Sequence, residues 1–175
     1  MKTTTRSALL LAALAMTTTG CGSGYAVPET FCDAAVKKDD LSPLLPEGEN
    51  LKNKRVKARS KPGAFCSLSV DGTRILYVAY QHDDAPLLPE NRRAVIQRLE
   101  RAAARNVSFP GQAVIGSNGA EVSAKCGDPT PYLTFNVQFA GDRVEDSSSG
   151  YKKLQRFLDD FVPAVTKKVE CTADS

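Results

Sequence analysis

One histidine, four pairs of adjacent carboxylates and one serine–lysine spacing are the residues that could do acid–base or nucleophilic chemistry in this chain. His82 is the only histidine among the 175 residues, and Asp83 and Asp84 follow it directly. A Ser-His-Asp triad or a Cys-His pair would have to use this residue, and a metal site with several histidines is excluded. We interpret His82 as part of an exposed strand-to-loop junction, with a weak cation contact as the alternative.

The carboxylates are paired with their immediate sequence neighbours, which argues against a catalytic pair. Acid–base catalysis needs two carboxyl groups that converge on one cleft with pKa values pushed apart. Adjacent residues on a strand or a helix point in different directions. We therefore interpret the pairs as solvated surface charge; they are Asp39–Asp40, Asp83–Asp84, Glu145–Asp146 and Asp159–Asp160.

Ser149 and Lys152 have the S-x-x-K spacing of the penicillin-recognising serine enzymes, at the start of a predicted helix. The S-D-N and K-T-G motifs that complete such a site do not occur in the sequence. We interpret Ser149 as a helix cap. The patterns therefore favour a protein that is not an enzyme and has no metal or cofactor; an envelope enzyme with an unrecognised carboxylate or serine site is the alternative.

Clustered basic residues are the feature that could bind a partner. Six basic residues and no acidic one lie from Lys52 to Lys61, and alternate residues of a strand share a face. The next predicted helix carries further arginines on one side. The candidate anion-binding residues are Arg55, Lys57, Arg59, Lys61, Arg98, Arg101 and Arg105. They would meet anionic lipid or an envelope polymer, or protect an edge strand from aggregation; without interleaved aromatic residues, nucleic acid is not expected.

The N-terminal segment is typical of an export signal. Two basic residues precede the apolar run Ser7–Met16, which is too short to cross a bilayer because a spanning helix needs about 20 residues. This pattern indicates a signal peptide over residues 1–20. A small residue directly before Cys21 favours lipidation of that cysteine, and residues 21–29 would then form a flexible lipidated tether. Plain secretion is the alternative.

Composition supports one exported globular domain. Removal of residues 1–20 leaves 21 basic and 20 acidic residues, so the mature chain is almost neutral. Hydrophobic residues make up 42% and charged residues 25%, which excludes a disordered chain and a polytopic membrane protein. The length favours a single domain, residues 30–175.

Four cysteines remain if Cys21 carries lipid, and an even number in an exported protein indicates two disulfides. No two of them form a C-x-x-C pair, so a redox motif or a zinc knuckle is not expected. Four cysteines allow three connectivities. Their order along the chain favours Cys32–Cys66 and Cys126–Cys171.

The order of elements predicts an α+β domain in which an antiparallel sheet has amphipathic helices on one face. A leading helix over Thr30–Leu41 precedes two β-β-β-α units, which suggests an internal duplication. The unit helices are predicted from Pro89 to Arg105 and from Gly150 to Val169.

Two dipeptides predict hairpin turns within these units, because a tight two-residue turn favours Asp-Gly and Asn-Gly. They are Asp71-Gly72 and Asn118-Gly119. The first turn would pair Val70 with Thr73, Leu68 with Ile75 and Cys66 with Tyr77.

The chain resembles the small exported lipoproteins of actinobacteria. The resemblance rests on the lipobox-like Thr18-Thr19-Gly20-Cys21, on Phe31-Cys32, on Leu44-Leu45-Pro46 and on the Cys66 hairpin; leucine is usual where Thr18 stands. It implies a lipid anchor on the outer face of the cytoplasmic membrane and transfers no catalytic residue. We therefore predict a lipid-anchored extracytoplasmic binding or interaction module of the cell envelope. A structural protein held on anionic membrane by its basic face is a further alternative.

Overall fold

A computed structural model describes residues 24–59, 62–127, 131–140, 150–169 and 171. The helices are α1 (Lys38–Leu41), a 3-10 turn (Ser42–Leu44), α2 (Pro89–Arg98) and α3 (Gly150–Lys168). The strands are β1 (Thr30–Phe31), β2 (Ala34–Ala35), β3 (Leu51–Lys57), β4 (Gly63–Val70), β5 (Thr73–Asp83), β6 (Ala103–Arg105), β7 (Gly111–Ile115), β8 (Gly119–Lys125) and β9 (Tyr132–Phe139).

Seven of the strands form one antiparallel sheet in the order β3-β4-β5-β9-β8-β7-β6, which confirms the predicted α+β class. Two three-stranded meanders, β3-β4-β5 and β7-β8-β9, meet where β5 pairs with β9. The strand order of the second half therefore mirrors that of the first. Strand β6 has no counterpart, and common ancestry of the halves stays a prediction.

Helix α3 covers one face of the sheet, which we call the front face. The apolar side of this amphipathic helix is fully buried: Leu154, Phe157, Leu158, Phe161, Val162 and Val165. Phe161 lies at the centre of the core, with ring centroids 5.4 Å from Phe31, 6.2 Å from Phe135 and 5.0 Å from Phe157. The helix continues through Pro163 without interruption.

Helix α2 lies on the opposite, back face, so the prediction that the helices share one face is wrong. Val114 of β7 points to the back because its neighbours Ala113 and Ile115 belong to the front core. Val114 is fully buried in a separate small cluster with Leu87 and Val95. The two helices therefore cover different parts of the sheet from opposite sides.

Helix α2 ends at Arg98, seven residues before the predicted end. Two adjacent apolar residues of the helix differ in burial: Val95 is buried, whereas Ile96 is 38% exposed. Beyond the helix, the Glu100 amide donates to the Asn118 side chain at 3.0 Å, and the Glu100 carbonyl accepts from the Ser117 amide at 2.9 Å. These bonds hold the chain as it turns into β6.

The predicted leading helix over Thr30–Leu41 is also wrong over most of its length. Residues 30–35 form the β1–β2 hairpin, and Cys32 and Asp33 have positive φ angles of 57° and 61°. Only Lys38–Leu41 is α-helical. The Cys32–Cys66 bond and the buried Phe31 side chain hold this segment against the sheet, and tertiary contacts override the local helix pattern.

The Asp71-Gly72 turn is confirmed, since both residues have positive φ angles, 49° and 83°, as this turn type requires. Val70 pairs with Thr73 as predicted, but a bulge follows. Leu68 pairs with Leu76 and Cys66 with Val78, not with Ile75 and Tyr77. The extra residue in β5 shifts the register by one.

The second hairpin turns one residue earlier than predicted. Ile115 pairs with Ala120, and the Gly116 amide donates to the Gly119 carbonyl at 2.9 Å. The two turn residues are therefore Ser117 and Asn118, and Gly119 begins β8. The Asn118 side chain accepts a hydrogen bond from the Glu100 amide. This contact accounts for the position of Asn118 in the turn.

Both predicted disulfides are present. Cys32 in the β1–β2 turn is joined to Cys66 of β4, with their Cα atoms 5.6 Å apart. Cys126 after β8 is joined to Cys171 after α3, at 4.7 Å. The bonds fix the first and last parts of the domain to the sheet. Such bonds are typical of an oxidising, extracytoplasmic compartment.

Part of the predicted tether lies along the domain. The Gly24 amide donates to the Gly48 carbonyl at 2.8 Å, and the Tyr25 hydroxyl donates to the Pro46 carbonyl. Tyr25 and Val27 pack partly against the core. None of the helices in the described residues is long and apolar enough to cross a membrane.

Asp71 holds the loop before β3 through its carboxylate. Its oxygens accept from the Asn50 amide at 2.8 Å and from the Glu49 amide at 3.1 Å. These backbone hydrogen bonds, first that of Asn50 and then that of Glu49, lower the pKa of Asp71 below its ordinary value. Because the pKa of Asp71 is lower in the folded than in the unfolded chain, its carboxylate stabilises the fold at pH values above the ordinary aspartate pKa. This contribution disappears as the pH falls through the folded-state pKa.

We therefore expect Asp71→Asn to lower Tm at neutral pH, with the difference from the unmodified chain shrinking towards about pH 2. Asparagine tolerates the positive φ at this position, so the turn itself is kept. Thermal unfolding followed by circular dichroism over this pH range is the measurement. The exposed Asp84→Asn serves as the control and is expected to leave Tm unchanged; a pH-independent loss for Asp71→Asn would contradict this account.

Candidate functional site

Five of the residues singled out in the sequence lie outside the described residues: Cys21, Lys61, Glu145, Asp146 and Ser149. Lipidation of Cys21 therefore stays a prediction, as does the interpretation of Ser149 as a cap. The other candidates are placed by the structure.

The candidate anion-binding residues that the structure describes lie in separate parts of the sheet. Arg55 and Lys57 share the front side of β3, and Arg59 follows that strand. Arg105 is in β6, six strand spacings away, which is about 29 Å at the usual separation of strands. Arg98 is bonded to Glu121 of β8, on the back face. The structure therefore does not bring these residues into one patch.

Several of these cations already have partners. Arg55 lies 3.3 Å from the Asp33 carboxylate, and Arg98 lies 2.6 Å from Glu121. Because α2 ends at Arg98, the three arginines predicted to share its face do not do so: Arg101 has a positive φ of 50° in the turn, and Arg105 is in β6.

The paired carboxylates do not converge in the part of the chain that the structure describes. The Asp159 carboxylate accepts from the Ser108 amide at 2.9 Å, and Asp160 forms an ion pair with Lys37 at 2.5 Å. The described residues contain no group of three or more histidine, cysteine or acidic side chains placed to hold a metal. Asp159 and Asp160 thus bind two different segments of the chain.

A cleft of about 450 Å³ lies on the back face of the sheet, beside α2. Directly opposite residues of neighbouring antiparallel strands share a face, and two such rows form its floor. The rows are Phe65, Ala79, Asn136 and Glu121, and Gln81 with Thr134. The floor therefore changes from apolar at β4 to polar at β9 and β8.

The apolar part of the cleft contains the exposed ring of Phe65, which a half-buried tyrosine supports from outside the lining. The rings of Phe65 and Tyr77 are stacked, with centroids 6.4 Å apart and planes 16° from parallel. The Arg74 guanidinium lies over the other ring, 5.0 Å from the Tyr77 centroid. Phe65 is 41% exposed, so its ring is available to a ligand.

The wall of the cleft is the chain that connects β5 to α2. Pro86 and Leu87 line it, with Leu87 buried against Val95 below. Leu88, 38% exposed, and Asn91 on the first turn of α2 also line the cleft. Pro89 begins the helix directly after this wall, where its fixed φ suits a first turn.

Charge in the cleft is sparse and partly neutralised. The Arg98 guanidinium donates to the Glu121 carboxylate at 2.6 Å, joining α2 to β8 at one side. Asp83 lines the other side. Between them are carboxamide and hydroxyl groups, each able to donate and accept hydrogen bonds. Such a site suits an uncharged ligand with hydroxyl or amide groups and one apolar surface.

The polar floor of the cleft has a signal in the sequence of β9. Thr134, Asn136 and Gln138 alternate with apolar residues in β9, which predicts that they share one face. A polar row on a central strand needs solvent or a ligand beside it. Only the order of the strands shows that this polar row lies beside α2, on a part of the back face that no helix covers.

Compared with known proteins, the chain matches no protein-family model, no curated protein and no solved structure.

Proposed function

We propose that this protein is a lipid-anchored extracytoplasmic binding module of the cell envelope and that the back-face cleft holds its ligand. The lipobox-like residues ending at Cys21 support the anchor, and the two disulfides support an extracytoplasmic location. The observation that carries the binding function is the cleft itself, a concave site with an exposed aromatic ring and convergent polar groups.

The chemistry of the lining favours an uncharged saccharide. The side chains of Gln81, Thr134 and Asn136 can both donate and accept hydrogen bonds, as the hydroxyl groups of a sugar also do. The exposed face of Phe65 can pack against the apolar face of a sugar ring. An acetamido group on the sugar would offer an amide to hydrogen-bond with the carboxamide side chains and a methyl group to pack near Leu88.

The experiment is a titration of the mature chain with a soluble tetramer of N-acetylglucosamine, followed by amide chemical shifts. The mature chain begins at residue 21 and carries Cys21→Ala, so that no lipid is added. We expect shifts confined to β4, β5, β8, β9, α2 and the wall before α2. Phe65→Ser and Asn136→Ala are each expected to weaken binding about tenfold, which is about 1.4 kcal/mol.

Ile96→Ser is the matched control, because Ile96 is similarly exposed but does not line the cleft. It should bind the saccharide as the unmodified chain does. Equal affinity of all three variants, or shifts on another surface, would contradict the proposal.

One observation favours the envelope-enzyme alternative: two carboxylates, Asp83 and Glu121, line the same cleft. Glycoside hydrolysis uses a pair of carboxyl groups on either side of the scissile bond. The ion pair of Glu121 with Arg98 instead holds this carboxylate against α2. Shorter saccharides appearing during the titration, and lost in Glu121→Gln, would establish the enzyme in place of the binding module.

A further inference from the structure

A second concavity, of about 360 Å³, lies at the free end of the sheet, where β6 stops. Strand β6 ends at Arg105, whose partner in β7 is Ala113. Strand β7 begins two residues before Ala113, at Gly111, so Gly111 and Gln112 have no neighbouring strand on this side. The concavity occupies this step in the edge of the sheet.

Two arginines reach the concavity from different elements, and no acidic residue lines it. Arg92 comes from α2, on the back of the sheet, and Arg105 comes from β6. Among the described residues, neither guanidinium has a carboxylate within 4 Å. Arg55 and Arg98, by contrast, each have one. The positive charge at this step is therefore uncompensated by the groups around it.

Arg105 is held in place before any ligand binds. Its guanidinium carbon lies 3.8 Å from the centroid of the Tyr151 ring, a cation–π contact that fixes the plane of the side chain. Its Nε atom is buried and has no hydrogen-bond partner among the described residues. A buried donor without an acceptor is costly, so the Arg105 guanidinium has unused hydrogen-bonding capacity in this position.

Helix α3 holds the segment after Arg105 through side chains one turn apart. Gln155 donates to the Asn106 carbonyl at 2.7 Å. Asp159 accepts from the Ser108 amide at 2.9 Å, so its carboxylate also holds this segment. The concavity thus has a fixed wall on this side.

We propose that Arg92 and Arg105 form a binding site for a phosphate group. Planar guanidinium groups donate paired hydrogen bonds that match the oxygens of phosphate. The side-chain amides of Asn106 and Gln112 also line the concavity and add neutral donors. The phosphate group belongs either to a soluble phosphate compound or to an anionic lipid headgroup in the membrane beneath the domain.

The test is a titration of the Cys21→Ala mature chain with inorganic phosphate at constant ionic strength, followed by amide chemical shifts. We expect shifts in residues 104–113. Arg92→Gln and Arg105→Gln should each weaken phosphate binding at least tenfold. Arg105→Lys keeps the charge and preserves the fold, but it lacks the paired donors, and it should also bind phosphate more weakly.

Arg93→Gln is the matched control, because Arg93 is the neighbouring exposed arginine of α2 and does not line the concavity. It should bind phosphate normally. Equal weakening by Arg93→Gln would show a general charge effect and overturn the proposal, as would the absence of shifts in residues 104–113.

Vesicles distinguish the two sources of phosphate. Sedimentation with phosphatidylglycerol vesicles, absent with phosphatidylcholine vesicles and lost in Arg92→Gln, would assign the site to a lipid headgroup. Phosphate binding without any sedimentation would assign it to a soluble compound. Both results support the site, and neither depends on the cleft around Phe65.

Discussion

Replacing Phe161 with alanine is expected to lower the free energy of unfolding by about 3–5 kcal/mol, the usual cost of truncating a fully buried phenylalanine. Its ring is fully buried and lies against Phe31, Phe135 and Phe157. The substitution would leave a cavity where α3, the β1–β2 hairpin and the centre of the sheet meet. Urea unfolding followed by circular dichroism measures the change.

Phe161→Leu fills most of the same space and should cost less than the alanine variant. It keeps the prediction testable if Phe161→Ala does not fold. Phe65→Ala is the control, since that ring is 41% exposed and its truncation should change stability little. Similar losses for Phe161→Ala and Phe65→Ala would contradict the placement of the core on the front face.

Removing the Cys126–Cys171 bond is expected to lower the free energy of unfolding by about 4 kcal/mol, the chain-entropy value for a loop of this length. The bond closes a separation of 45 residues and joins the end of α3 to the end of β8. Without it, the unfolded chain gains conformational freedom. The measurement is urea unfolding of the Cys126→Ser, Cys171→Ser double variant.

The Cys32→Ser, Cys66→Ser variant provides the comparison, because that bond spans 34 residues and its entropic contribution is nearly the same, about 4 kcal/mol. A single-cysteine variant is avoided since it would leave a reactive thiol. No loss of stability in either double variant would contradict these pairings.

Strong local patterns predicted the elements that dominate the core. Helix α3 repeats apolar residues over 19 residues, and β9 alternates strictly, so their buried sides could be identified directly. The Asp71-Gly72 turn and the two disulfides also followed from local sequence and chain order. In each case a local requirement, such as the burial of an apolar side or the positive φ angles of a tight turn, is met by one structure.

The errors occur where distant contacts decide the structure. Residues 30–35 form a hairpin because Cys32 is bonded to Cys66 and Phe31 is buried beneath α3. Helix α2 ends early because Glu100 is held by the Ser117–Asn118 turn. The bulge in β5 inserts one residue that the hairpin turn alone does not predict. The partners of Glu100 and Cys32 are 17 to 34 residues away in sequence, and Phe157, which contacts Phe31, is 126 residues away from it.

The candidate site follows from an incomplete layer on the back face. Helix α2 has 10 residues, so it is about 15 Å long, whereas the sheet is about 29 Å wide at the usual strand spacing. It covers β7 through Val95 and leaves the back of β4, β5 and β9 open. The sequence shows the alternating polar residues of β9, but it does not show which face of the sheet α2 covers.

A crystal structure of the mature chain with the N-acetylglucosamine tetramer tests the central claim most directly. The proposal predicts a sugar ring packed on Phe65, between the β5–α2 wall and the polar side chains of β9, with hydrogen bonds to Gln81 or Asn136. Saccharide bound elsewhere on the surface, or an empty cleft at a saturating concentration of the tetramer, would contradict the assignment of the back-face cleft as the ligand site.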